Sequence, residues 1–125
     1  MARIHETGRA GEALAVRALE AAGWTVLSRN WRDGPRELDL VVYRAGVLAF
    51  IEVKTRRSLR WGDPLEAILP GKQREIERAA GGWLSREAHR VPRPFSIRFD
   101  AVSVLIPARG APEVQIFEDA WHPSP

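Results

Sequence analysis

Cysteine is absent from the 125 residues. A disulfide framework, a thiolate zinc site and a cysteine nucleophile are thereby excluded, and the absence agrees with a reducing cytoplasm. Histidine is scarce, and His5, His89 and His122 are scattered without metal-ligand spacing. Lysine is reduced to Lys54 and Lys72 among nineteen basic residues, the rest being arginine. Where arginine is used almost everywhere, a retained lysine points to a place that needs a compact, desolvatable ammonium. Long apolar runs are missing as well. Met1 to Gly11 lacks the apolar stretch of a secretion signal and no later run reaches the length of a bilayer span, so a soluble cytoplasmic chain with no membrane partner is expected. Excess charge is also small: the formal net charge is +3, which an ordinary basic surface explains without a polyanionic partner.

What is present has the balance of a folded domain, 45% hydrophobic and 28% charged. A chain of this length can bury one hydrophobic core, so a single domain over residues 1–125 is expected, with a frayed tail from residue 119. Gly8 to Ala22 carries Ala15, Val16, Leu19 and Ala22 at helical spacing before Gly23 stops the run. Trp24 to Trp31 reads as a strand closed by Asp33-Gly34-Pro35. Glu37 to Tyr43 and Val47 to Thr55 flank Ala45-Gly46 and make an antiparallel hairpin, apolar on both faces and so covered on both. Arg56 to Leu69 reads as a loop beside that hairpin. After Pro70-Gly71, the residues Ile76, Ala79, Ala80, Trp83 and Leu84 form one helical stripe, weakened by Gly81-Gly82. Phe95 to Ile106 and Glu113 to Phe117 read as further strands. This order predicts an α/β fold, a mixed sheet flanked by helices.

The chemistry gathers on the hairpin. A turn centred between residues 45 and 46 sets Asp39 opposite Glu52 and Glu37 opposite Lys54, all on one face. Opposed acids in an apolar sheet are destabilising unless a cation compensates them. Two carboxylates, waters and the Val53 carbonyl offer the hard oxygen ligands that magnesium accepts, with manganese as substitute. Lys54 is then placed to assist a water or to neutralise charge developing on a phosphoryl group. Glu12 and Lys72 each lie one turn before the apolar stripe of their helix and point inward, the first toward the acids and the second, beside a helix amino terminus, toward a phosphate.

These residues resemble a known pattern. Glu37-Leu38-Asp39-Leu40, followed thirteen residues after Asp39 by Glu52 within Phe50-Ile51-Glu52-Val53-Lys54-Thr55-Arg56, is similar to the motif of the PD-(D/E)xK nuclease superfamily. Within it the chain resembles the YraN-like family of small bacterial proteins, related to archaeal Holliday-junction resolvases. The likeness takes in Gly11-Glu12, Arg29-Asn30-Trp31, Gly62, Lys72-Gln73 and Arg98-Phe99-Asp100, a spread far more specific than the Glu-x-Lys tripeptide alone. It implies a restriction-endonuclease-like fold, Asp39 and Glu52 as metal ligands, Lys54 as the catalytic lysine and Glu12 as an accessory acid. Arg36 stands where the family usually has glycine, and either contacts a phosphate or closes a surface turn.

Plainer readings stand beside these. The four hairpin charges also suit an ion-pair cluster that merely ties the sheet, and Glu37 suits a salt bridge with Lys54 or an arginine. Glu12 equally suits the helix dipole, and Lys72 a side chain that only extends to solvent. Arg56, Arg57 and Arg60 with Trp61 read either as a track for a phosphate backbone or as a solvated loop. Arg98 and Asp100 most simply pair with each other, and Trp24, Trp31, Trp83 and Trp121 pack. The sequence thus predicts a magnesium-dependent endonuclease acting on DNA, at branched or damaged structures. The alternative is a nucleic-acid-binding module that keeps the nuclease framework and works through a DNA-processing protein partner. A symmetric homodimer would widen the grip of so small a domain, though no stretch marks its interface.

Overall fold

The computed structural model describes residues 2–58, 65 and 68–123, with side chains from Gly8 onward. Helix α1 (Ala2–Ala21) is followed by strands β1 (Thr25–Asp33), β2 (Arg36–Arg44) and β3 (Val47–Arg56). Helix α2 (Pro70–Glu87) then leads through a short 3-10 turn to β4 (Ser96–Leu105) and β5 (Glu113–Trp121). The five strands lie side by side in chain order. All neighbouring pairs are antiparallel except β3 and β4, which run parallel and are joined by way of α2. The result is the α/β mixed sheet flanked by helices that the sequence predicts, in the restriction-endonuclease-like arrangement. Among the described residues no helix is long and apolar enough to cross a membrane.

The helix stripes decide which face each helix covers. Ala15, Val16 and Leu19 of α1 pack on Leu40, Val42, Ala49, Ile51, Val102 and Val104. Ile76, Ala79, Ala80 and Trp83 of α2 pack on the opposite face, against Val41, Leu48, Phe50 and Phe99. The larger of these side chains, once fully buried, each stabilise the fold by about 1.5–3 kcal/mol, and the alanines by less. Under α2 the rings of Phe50, Phe99 and Trp121 form a stacked row with centroids 5.7 and 5.4 Å apart, and Trp83 meets Phe50 edge-on.

Several boundaries differ from expectation. The helix begins at Ala2, before the first apolar stripe residue, because nothing between Ala2 and Gly8 breaks it. Gly81-Gly82 does not end α2: a Cβ at Gly82 would overlap the Asp33 carboxylate and press on Trp31, so glycine there lets β1 approach the helix. The fraying expected from residue 119 is corrected by Trp121, which is buried, stacks on Phe99 and donates its indole N–H to Glu77 at 3.0 Å. Strand β5 reaches it through a bulge between the Phe99 and Ala101 rungs. There the wholly buried Asp100 accepts the Asp119 N–H at 2.9 Å and a bidentate pair of bonds from Arg98, the partnership expected from sequence.

The hairpin turn has the expected centre, since the β2–β3 ladder runs from Arg44–Val47 to Leu40–Ile51. Its two central residues, Ala45 and Gly46, have φ of +46° and +82°. Both signs are those of a type I′ turn, which suits the twist of the strands but strains any residue with a Cβ. Asparagine tolerates this conformation better than alanine. Ala45→Asn is therefore expected to stabilise the protein by about 1 kcal/mol, a few degrees in melting temperature. An unchanged melting temperature in the variant would count against the turn as a strained element.

Candidate active site

The site is made where the two central strands part. The β2–β3 ladder stops at Leu40–Ile51. Beyond it β2 stays with β1 as far as Asp33–Arg36, and β3 stays with β4 as far as Arg56–Leu105. A buried strand amide facing the opening needs an acceptor. Asp39 provides it, its Oδ2 accepting the Val53 N–H at 2.8 Å. The alternation of β2 slips at this point: Leu38 and Val41 both face α2, whereas Leu40 and Val42 face α1. Asp39 thus reaches sideways to β3 rather than standing on one face.

This geometry changes the expected pairing while keeping the main acids together. No Asp39–Glu52 rung forms, yet the two carboxyls are close enough across the opening for Glu52 to raise the Asp39 pKa. Glu37 does not oppose Lys54, because the strands have separated by then; it turns to Arg32 of β1 at 3.5 Å. Glu52 and Lys54 share the α2 face of β3, with Lys54 Nζ 3.7 Å from Glu52 Oε2. Lys72, in the first turn of α2, places its Nζ 3.6 Å from the same oxygen. Those distances give charge attraction without a hydrogen bond. Glu52 is 5% exposed, and its Oε2 is buried with no hydrogen-bond partner.

A buried carboxylate oxygen left in that state is costly, by about 1–3 kcal/mol or more when charged. The strain appears in its neighbour. Burial, first, and then the closeness of the Glu52 carboxyl and the repulsion of its charge push the Asp39 carboxyl up to about 7. The Val53 N–H and the Lys72 ammonium pull in the other direction without prevailing. Two acids so disposed, one orphaned oxygen among them, form a donor set that fits a small divalent cation. Among the described residues no group of three or more His, Cys, Asp or Glu side chains converges, so waters would complete the shell of such an ion.

Glu12 approaches from the other side of the sheet. Its helix is brought close at Gly11, where a Cβ would overlap the Thr55 side chain at the end of β3. Glu12 accepts a hydrogen bond from Asn30 Nδ2 at 3.0 Å. Burial above all raises its pKa, with smaller contributions from Asp39 and Glu37, while the Asn30 bond opposes the rise. It therefore borders the acidic pair and is held by β1. Val53 shows the site its N–H, as the donor to Asp39.

Of the basic residues expected to meet a phosphate backbone, Lys72 joins the site directly. Arg56 ends β3, and Arg57 follows it, exposed. Arg36 pairs with Glu75 of α2 at 3.4 Å and so ties β2 to the helix. Arg60, Trp61 and Gly62 lie outside the described residues.

Two supporting residues enter the sequence reading only as points of family likeness. Asn30 adopts φ of +50°, and its side chain fixes Glu12. An asparagine within an otherwise strand-like run is the available signal, because it tolerates the left-handed region. Gln73 donates its side-chain amide to the Ile68 carbonyl at 2.9 Å and so fastens the segment before α2, steadying the turn that carries Lys72. No local pattern foretells that bond.

Comparison with known proteins gives the chain its family. The model of the uncharacterised protein family UPF0102 matches residues 11–104, which include the whole of the acidic hairpin and α2. A UPF0102 protein of Streptomyces griseus is 47% identical over 84% of this chain and 87% of its own length. Another from Bifidobacterium longum is 43% identical over 91% of each. One from Rhodococcus opacus is 39% identical over 97% of this chain and all of its own. The chain belongs to the UPF0102 family, the YraN-like proteins of the PD-(D/E)xK nuclease superfamily.

Proposed function

We propose that this protein is a divalent-cation-dependent endonuclease that hydrolyses phosphodiester bonds in DNA, at branched or damaged structures. One observation carries the reading: the buried, unpartnered Glu52 Oε2 lies against Asp39 and between the ammonium groups of Lys54 and Lys72. A buried acidic pair with one carboxylate oxygen left without a hydrogen bond has its natural use in holding a cation beside a phosphate. Magnesium, or manganese in its place, held by Asp39 and Glu52 with the Val53 carbonyl, would polarise a phosphoryl oxygen and lower the pKa of a nucleophilic water.

The chain's own groups supply the rest. Asp39 is fixed by the Val53 N–H, so its free oxygen keeps one direction. Lys54, an ammonium on the α2 face of β3, orients the attacking water by donating a hydrogen bond to its oxygen and offsets charge growing on the phosphoryl oxygens. Lys72 and the first turn of α2 attract the neighbouring phosphate, since unpaired helix N–H groups and an ammonium point the same way. Glu12 receives a hydrogen bond from a water at the rim. Arg56 and Arg57 extend the positive charge along the strand end.

A second reading has an observation in its favour: both lysines already neutralise Glu52, as they would in a module that binds DNA without cutting it. Incubation of the purified chain with duplex, single-stranded and branched DNA, with magnesium, manganese or EDTA, separates the two. Cut product confined to the cation-containing reactions is expected. A gel shift on the same DNAs with no product in any reaction would leave the binding module and end the hydrolase.

A further inference from the structure

The sheet carries a second feature on the same face as Lys54. Lys54 pairs across the parallel ladder with Ser103 of β4, and Ser103 pairs in turn with Gln115 of β5. The stacking of Phe50 on Phe99, four residues earlier on both strands, fixes the shared face, and the strand period carries it to Lys54 and Ser103. Next to this rung opens a cleft of about 430 Å³, lined by Ser103, Leu105, Glu113, Val114 and Gln115. That is the size range of small-ligand sites. Ser103 is 6% exposed, yet among the described residues its hydroxyl makes no side-chain hydrogen bond. Its oxygen is not one of the buried atoms left without a partner, so it opens to solvent in the cleft and can bond a ligand there.

The lining says what the partner is. Among the described residues no basic side chain lines the cleft, and the Glu113 carboxylate at its rim repels phosphate. Leu105 supplies an apolar wall, Ser103 and Gln115 offer donors and acceptors, and Val114, whose side chain packs toward α1, adds only its backbone. This is the chemistry of a nucleobase, flat and apolar on its faces and polar along its edge. A base stacked in a duplex cannot enter such a cleft without leaving its pair. Resting on the nuclease reading, we infer that the cleft receives one unpaired base of the substrate strand, next to the phosphate held at Lys54, and so selects DNA with a flap, bulge or branch.

The test measures binding of the full chain in EDTA, where no cutting confuses the result. The probes are a duplex with one unpaired 2-aminopurine and the same duplex fully paired. The wild type is expected to prefer the bulged duplex and to quench its fluorescence. Ser103→Ala combined with Gln115→Ala removes two hydrogen bonds and should weaken bulge binding about tenfold, with paired-duplex binding unchanged. Glu113→Gln, at an exposed position, should leave the melting temperature unaltered and strengthen binding of both DNAs alike. Equal loss on both duplexes in the double variant, no loss on either, or no binding of either DNA by the wild type overturns the inference. If the preference and its loss hold but no cation yields cleavage, the cleft stands and the hydrolase falls; cleavage without the preference keeps the hydrolase and removes the cleft.

Discussion

Asp39→Asn is expected to cut DNA hydrolysis by about 10²–10⁴-fold and, at pH 8 without divalent cations, to melt higher than the wild type. Both effects come from one pair of oxygens. The asparagine carbonyl can still accept the Val53 N–H that Asp39 accepts at 2.8 Å, so the opening between β2 and β3 keeps its shape. Its amide can donate to Glu52, which now lacks a partner for Oε2. Repulsion between two buried acids is replaced by a hydrogen bond from the amide to the Glu52 carboxylate, a gain on the order of 2 kcal/mol. The same change removes a charged ligand, and with it the grip on a cation. Activity measured on branched DNA with magnesium, beside thermal denaturation in EDTA, checks the pair of effects. Undiminished cleavage by Asp39→Asn would remove Asp39 from the site; a lower melting point would remove the repulsion.

Stability of the cation-free wild type should fall as pH rises from 5 to 8. The Asp39 carboxyl is pushed up from 3.8 to about 7, first by burial and then by Glu52. A carboxyl raised on folding binds its proton more tightly in the native state. Its contribution is therefore complete below about pH 4 and is lost as pH rises through 7, roughly 4 kcal/mol in full. Magnesium should reverse the loss, since it binds the doubly ionised pair and not the protonated one, so its stabilisation grows with pH. Melting curves at pH 5 and 8, with and without 10 mM magnesium as an order-of-magnitude excess, give four numbers to compare. Asp39→Asn serves as the control that should be nearly flat in both respects. A magnesium shift of equal size at the two pH values, or a wild type that gains stability toward pH 8 in EDTA, would defeat this account.

Much of the site could be read from spacing because a hairpin is a local object. Ala45-Gly46 sets the register, the register runs to Leu40–Ile51, and Asp39 and Glu52 stand just beyond its last rung, where the strands part. The inward turn of Lys72 was legible for a similar reason, as one helical turn before Ile76. What escaped were the features decided by competition among distant strands. Glu37 joined Arg32 because β1 holds that end of β2, and nothing within the hairpin reveals that the ladder must end at Leu40. Gly82 reads as a weak point of a helix until the Asp33 side chain is set against it. Trp121 reads as part of a loose tail until Phe99 and Glu77 supply its partners. In each case a tertiary neighbour overrides a sound local preference.

The parallel pairing of β3 with β4 bears on the order in which the molecule assembles. Closing the hairpin needs only a two-residue loop, whereas bringing Ser96 to Val47 requires the whole of α2 to be laid down between them. Short closures are kinetically favoured. The mutually repelling acids should accordingly come face to face early in folding, while Lys72 is still remote. Ambient magnesium would then speed refolding as well as deepen the native well, and stopped-flow rates that ignore the ion would show that the acids meet only once α2 has docked.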